Sequence, residues 1–297
     1  MIGAIFGDIA GSTREFNNVK SKHFKLLPEG SHYTDDTLLI AATANTIDYI
    51  QKYNPRASCD TIAKVWRDAI LTLAKQYKYN DWGCNFAAWL KSDNPQPYNS
   101  YGNGALLRAI PIGLLTRYKE YVPKFITAIV GTTHNHPFAI NAATALATLL
   151  QRLQTSAAYE PDNPQFNKAI IANHITKLYP HNNIHKSLTT LADRKAYGYF
   201  MEDATSTLLD AVRVVLRSSS FTAAIRNAIY IGGDSDTIAA VTGAIAAYTF
   251  TIPDNIQQIV NGYLQDNKEI HYIISCAYAR ERSIYEDYHN ISTITDK

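Results

Sequence analysis

The sequence predicts an all-α protein folded as one compact domain. Two observations point that way: apolar residues recur three and four apart along almost the whole chain, and alternating strand patterns bounded by turn pairs are nearly absent. Length is a third. At 297 residues, 46% of them hydrophobic and 18% charged, the chain can bury a substantial core, and it has no internal repeat, low-complexity tract or obvious linker. The loop from Ser156 to Gln165, with Pro161 and Pro164, is the best boundary candidate, and it reads as ordinary surface loop.

Ile2, Ile5, Phe6 and Ile9 sit at helical spacing, while Gly3, Gly7 and Gly11 form a second stripe four residues apart. Each such glycine costs a helix roughly 1 kcal/mol, so the stripe predicts a central first helix that another helix backbone approaches closely. After a polar loop from Asn17 to His32, the cluster Thr34-Asp35-Asp36 opens a helix through Leu39, Thr43, Ile47 and Ile50, which Asn54-Pro55 ends. Ser58 or Asp60 caps a helix through Ile62, Val65, Trp66, Ala69, Leu73 and Tyr77, and Asp81 caps a shorter one through Phe86, Trp89 and Leu90. The turn-rich run from Ser92 to Ser100 leads into Tyr101-Gly102-Asn103-Gly104 and an apolar helix that Pro111 is expected to interrupt. Further helical patterns run over 122–130, 137–153, 167–178, 203–216, 221–229, 237–248 and 253–264, with a final amphipathic stretch over 269–288.

The net charge of +2 comes from 28 basic and 26 acidic residues mixed along the chain, so a nucleic-acid partner has no electrostatic support. Cys59, Cys84 and Cys276 are odd in number, far apart and without metal-ligand spacing. Reduced thiols in a cytosolic protein are the simplest reading, with one bridged pair as the alternative. The apolar N-terminus has no leading Lys or Arg and carries Asp8 where a signal peptide needs its apolar centre. The most apolar window, 238–252, is shorter than the roughly 20 residues of a membrane helix. No targeting or spanning segment is therefore expected, and the chain is read as a cytoplasmic monomer.

Four stretches can do chemistry. Thr34-Asp35-Asp36-Thr37 and Gly232-Gly233-Asp234-Ser235-Asp236-Thr237 each place carboxylates and hydroxyls just before an apolar helix. Separately each reads as a helix cap; brought together they form an oxygen-only site suited to hard cations such as Mg²⁺, Mn²⁺ or Ca²⁺. Glu15 follows the glycine-bearing first helix, where a carboxylate can enter a cleft or simply face solvent. Ser100-Tyr101-Gly102-Asn103-Gly104 can let a ligand phosphate approach backbone N–H groups, or be a plain turn. Thr133-His134-Asn135-His136-Pro137 opens another helix and reads as a polar entrance to a pocket rather than as a metal site.

In this order the pieces resemble the ADP-ribosylglycohydrolase family: Gly7-Asp8-Ile9-Ala10-Gly11 with Glu15, then Thr34-Asp35-Asp36-Thr37, Tyr101-Gly102-Asn103-Gly104, Thr133-His134-Asn135-His136-Pro137, and Gly232-Gly233-Asp234-Ser235-Asp236-Thr237. The resemblance implies a compact, single-domain orthogonal multi-helix bundle. It also implies two divalent cations, Mg²⁺ or Mn²⁺, with Thr34, Asp35 and Asp36 as one ligand set and Asp234, Asp236 and Thr237 as the other. Glu15 takes the place of a catalytic acid. Ser100, Tyr101, Gly102, Asn103, Gly104 and His134 match the walls that hold the diphosphate and adjoining parts of ADP-ribose, and Asp8 supports the metal ligands from behind.

The activity implied is hydrolysis of the C1 glycosidic bond between ADP-ribose and an acceptor on a protein or small molecule, releasing ADP-ribose. Two alternatives are a catalytically inactive ADP-ribose-binding protein of the same fold and a di-metal hydrolase of another nucleotide-like substrate. Two departures from the family pattern, Phe138 after His136-Pro137 and Leu107 before Arg108, bear on substrate choice more than on catalysis.

Overall fold

A computed structural model describes residues 1–19, 21–79, 82–156, 163–196 and 202–295, the side chains of 194–196 and 289–295 excepted. Among the described residues there are fourteen α-helices and no strand. They are α1 (Ile2–Gly11), α2 (Asp35–Tyr53), α3 (Cys59–Gln76), α4 (Cys84–Lys91), α5 (Gly104–Leu115), α6 (Val122–Ile129) and α7 (Pro137–Thr155), followed by α8 (Pro164–Leu178), α9 (Leu188–Ala196), α10 (Ala204–Arg217), α11 (Phe221–Ile231), α12 (Ser235–Ala246), α13 (Ile256–Leu264) and α14 (Lys268–Thr295). The buried apolar residues form a cluster running from Met1 to Ala277. No helix among the described residues is long and apolar enough to cross a membrane.

The helix starts follow cap chemistry. Thr34 accepts from the Asp36 N–H, Ser58 from Thr61, Asp203 from Ser206 and Ser220 from Ala223, each satisfying a donor that the first turn leaves free. The expected Asp81 cap lies outside the described residues, and at the start of α4 Gly83 offers no side-chain cap. Helix α9 was not expected: Leu188 and Leu191 are its only large apolar residues, too few to set a period. The cysteines are free thiols, with Cys84 and Cys276 exposed.

Helices α1 and α12 form the antiparallel centre of the bundle, buried along their whole lengths. The glycine stripe explains how they meet. A Cβ on Gly3 would lie 2.4 Å from the Gly243 carbonyl oxygen, one on Gly7 2.0 Å from that of Ala239, and one on Gly11 2.3 Å from Asp236 Cα. These backbones touch, so the end of α1 and the polar tip of α12 share one place.

Pro111 does not interrupt α5, which runs unbroken from Gly104 to Leu115. The proline removes a single intrahelical donor, and residues 105–115 are all buried against neighbouring helices, so packing outweighs the lost hydrogen bond. Between α2 and α3, Trp66 is fully buried and its Nε1–H donates to Thr43 Oγ1 at 3.0 Å. Thr43→Val would leave that donor without a partner in the core. The expected result is a loss of about 1–3 kcal/mol, read from the urea midpoint at unchanged m-value.

Candidate active site

The site is assembled where α1, α2 and α12 meet. Asp8, wholly buried, accepts from Thr34 N–H at 3.0 Å, Thr34 Oγ1 at 2.7 Å and Thr37 Oγ1 at 2.5 Å, which fixes the first turn of α2 on α1. Thr237 Oγ1 then donates to Asp36 at 2.7 Å and joins α2 to α12. Carboxylate oxygens of Asp8, Asp36 and Asp236 lie within 4.8 Å of one another, as do those of Glu15, Asp234 and Asp236. Asp8, expected only behind the site, thus brings a carboxylate into the cluster itself.

Asp234 occupies the N-cap position of α12, yet its side chain makes no cap hydrogen bond. The preceding turn, with φ of +70° at Gly232 and +85° at Gly233, is one that only glycine adopts freely. Its carboxylate instead accepts from Asn103 Nδ2 at 2.7 Å, linking α12 to the loop before α5. That loop is held by backbone bonds from Asn103 N–H to Glu202 O at 2.7 Å and from Ala204 N–H to Tyr101 O at 2.9 Å.

A cavity of about 530 Å³ opens over the cluster. Glu15, Asp35, Asp36, Asp234, Asp236 and Thr237 line one side, while Ser100, Gly102, Asn103, Gly104 and His134 line another. Thr34 stays beneath, engaged with Asp8. Tyr101 is not on the cavity wall: it is 58% exposed, packs edge-on against His136 at 5.7 Å, and His136 in turn packs on Phe138 at 4.9 Å. Leu107 is fully buried and Phe138 is 64% exposed, and neither lines the cavity.

Electrostatics set this place apart. Burial first, then the charges of Asp35, Asp8 and Asp234, hold the Asp36 carboxyl well above the usual carboxylate range. Burial, followed by Asp234, Asp36 and Glu15, does the same to Asp236. Among the described residues no basic side chain forms an ion pair with Asp36, Asp234 or Asp236; threonine and asparagine groups donate to them, and the Asp234 and Asp236 side chains hydrogen-bond each other. Packed carboxylates with only neutral donors are costly unless positive charge joins them, and oxygen-only donors of this kind fit hard divalent cations. The donor set therefore fits the Mg²⁺ or Mn²⁺ pair that the resemblance implies.

Three residues at the site escaped the sequence reading. Arg108, a lone charge in the apolar run of α5, lies under the cavity with its guanidinium 4.6 Å from the Trp66 ring centre and 5.2 Å from that of Phe86. Burial lowers its pKa to about 10, so it stays charged at neutral pH. Glu202 faces the cavity, its carboxyl raised by burial and then by Asp234. Asn18 gave no signal in a polar loop, yet its Nδ2 donates to the carbonyls of Arg14 and Glu15, both at 2.7 Å, and of Gly233 at 3.2 Å, while its Oδ1 accepts from Gly233 N–H. One amide thereby ties the Glu15 turn to the turn before Asp234. Asn18→Ala should leave the melting temperature nearly unchanged and lower turnover about tenfold, the low end for residues that orient a metal site; steady-state kinetics beside a thermal melt will show whether the two separate.

An all-α bundle with buried carboxylates gathered at the mouth of its central helix pair defines the class. A model of the ADP-ribosylglycohydrolase family matches residues 1–266, and the chain belongs to that family. Among curated proteins it is similar to the ADP-ribosyl-[dinitrogen reductase] glycohydrolase of Rhodospirillum rubrum, with 21% identity over 165 residues. That match covers 54% of this chain and 50% of the relative, so the similarity spans about half the relative's length. Among solved structures the fold is similar to an ADP-ribosylglycohydrolase-related protein complex, with a TM-score of 0.62, 21% identity, and 95% of this chain and 93% of the other covered.

Proposed function

We propose that this protein is a metal-dependent ADP-ribosyl hydrolase that cleaves the C1 glycosidic bond between ADP-ribose and an acceptor on a protein or small molecule. The observation that carries the reading is the convergence of Glu15, Asp36, Asp234 and Asp236 on one cavity, with Asp8 buried against Asp36 and Asp236, in a chain of this family. The cavity's volume lies within the roughly 300–1,000 Å³ common for small-molecule sites.

Thr34, Asp35 and Asp36 on one side and Asp234, Asp236 and Thr237 on the other would hold two Mg²⁺ or Mn²⁺ ions. Bound there, the cations supply countercharge to the carboxylates and Lewis acidity at substrate oxygens. Asn103 fixes Asp234, Thr237 fixes Asp36, and Asp8 fixes Thr34, so the ligand set is organised by neutral hydrogen bonds. The loop from Ser100 to Gly104 and His134 would bind the diphosphate and adjoining ribose, with Tyr101 at the rim.

In the reaction, a water oxygen forms a bond to C1 as the bond from C1 to the acceptor breaks, and one water proton ends on the acceptor. Glu15 would take that proton and hand it on, a role supported by its half-buried position on the cavity wall and its anchoring through Asn18. The test is release of free ADP-ribose from a panel of ADP-ribosylated acceptors with Mg²⁺ or Mn²⁺. Loss of release in EDTA and its return on adding metal are expected. Full activity in EDTA would defeat the metal reading, and ADP-ribose binding without turnover on any acceptor would identify an inactive binding protein.

A further inference from the structure

His134 presents the two nitrogens of its ring to different surroundings. On the Nδ1 side, Thr133 Oγ1 lies 2.7 Å away and Arg108 NH1 3.2 Å away, and the same guanidinium nitrogen donates to Thr133 Oγ1 at 2.5 Å. A guanidinium has only donors. A proton on Nδ1 would therefore set N–H against N–H, whereas a bare Nδ1 accepts from both neighbours. We infer that Arg108 and Thr133 lock His134 in the Nε2–H tautomer, so that the ring offers the cavity a neutral hydrogen-bond donor for a ligand oxygen.

The other side of the ring is arranged to use that donor. Nε2 has no hydrogen-bond partner among the described residues, and His134 lines the cavity. A Cβ on Gly102 would stand 3.3 Å from Nε2 and 3.2 Å from Ser100 Oγ, so both polar atoms border the same spot, and one on Gly104 would stand 3.5 Å from Nε2. The surroundings are tied together: His134 N–H donates to Val130 O at 2.9 Å, Ser100 N–H to Thr133 O at 3.2 Å and Asn99 N–H to Asn135 Oδ1 at 2.7 Å. Burial, and then the charge of Arg108, hold the imidazole well below its ordinary pKa, in keeping with a neutral ring. Arg108 is thus a positioning residue acting through His134. The tautomer stands on the hydrogen bonds alone; only the oxygen it meets, a diphosphate oxygen of ADP-ribose, rests on the function proposed above.

The test begins with the full-length, ligand-free protein carrying ¹⁵N-labelled histidine rings, with His134 assigned by its absence in His134→Gln. Long-range ¹H–¹⁵N spectra at neutral pH should place the proton on Nε2; a proton on Nδ1, or an imidazolium, overturns the inference. Arg108→Met, of similar reach but without donors, should give mixed tautomers and bind ADP-ribose about tenfold or more weakly by calorimetry, the worth of one hydrogen bond to a charged group. Arg108→Lys, which keeps a donor, should recover both, with the effect in KM rather than kcat. A pure Nε2–H signal in Arg108→Met removes Arg108 from the account.

Should that variant fail to fold, the wild-type spectrum and Gly102→Ala still decide. The added methyl must weaken ADP-ribose about tenfold while the proton stays on Nε2, and unchanged affinity refutes the donor. An Nε2 proton without any ADP-ribose binding would refute the proposed function and uphold the tautomer. Turnover with the proton on Nδ1 would do the reverse.

Discussion

Asp236→Asn is expected to cut metal-dependent release of ADP-ribose by more than about a hundredfold, and to raise the melting temperature of the metal-free protein by about 2–4 °C. Both effects have one cause. Asp236 belongs to both carboxylate trios, with Asp8 and Asp36 on one side and Glu15 and Asp234 on the other. Removing it takes a proposed ligand from the place the two groups share, and residues that merely orient a metal ligand already cost up to about a hundredfold. Without metal the same carboxylate is a liability. It is buried, its pKa is driven up by burial and by three neighbouring acids, and an amide of equal size would give those acids a donor. The two readouts are ADP-ribose release with excess Mn²⁺ and a thermal melt in EDTA. Retained turnover would remove Asp236 from the metal site, and a lower melting temperature in EDTA would show that the carboxylates do not repel one another as their spacing requires.

Much of this was legible in the sequence, for physical reasons that differ between elements. The starts of α2 and α3 were readable because Thr34 and Ser58 satisfy local donors, a property of three or four adjacent residues. The α1–α12 pairing was readable in part, since a glycine stripe has few uses other than close approach, although its partner could not be named. Pro111 misled because its cost is local while the packing that outweighs it comes from other helices.

At the site, the acidic clusters announced themselves, yet Asp234 could not be told from an ordinary cap until Asn103 was placed opposite it. The burial of Arg108 was hidden because a charge in an apolar run does not reveal whether it reaches solvent or a cavity floor. Asn18 carried no pattern at all. Two of its four hydrogen bonds reach Gly233, 215 positions away, and no sequence window spans that.

The helix seam also makes a prediction in which stability and metal affinity separate. Gly3→Ala and Gly11→Ala add the same methyl to opposite ends of α1, the first 2.4 Å from the Gly243 carbonyl oxygen and the second 2.3 Å from Asp236 Cα. Backbone cannot swing aside as a flexible side chain can, so each should destabilise by about 1–3 kcal/mol or more, as overpacked cores do. Only Gly11→Ala pushes directly on the chain that holds Asp236. It should weaken Mn²⁺ binding about tenfold or more, with Gly3→Ala close to wild type at a temperature where both remain folded. Gly243→Leu, larger and facing the Gly3 carbonyl oxygen at 2.0 Å from its Cβ, should pry the helices apart along their length and weaken metal binding without altering a ligand. Calorimetric titration with Mn²⁺ alongside thermal melts separates the cases. Wild-type Mn²⁺ affinity in both Gly11→Ala and Gly243→Leu would mean that the cluster is held by its own hydrogen bonds, through Asp8, Thr34 and Thr237, and not by the closeness of the two central helices.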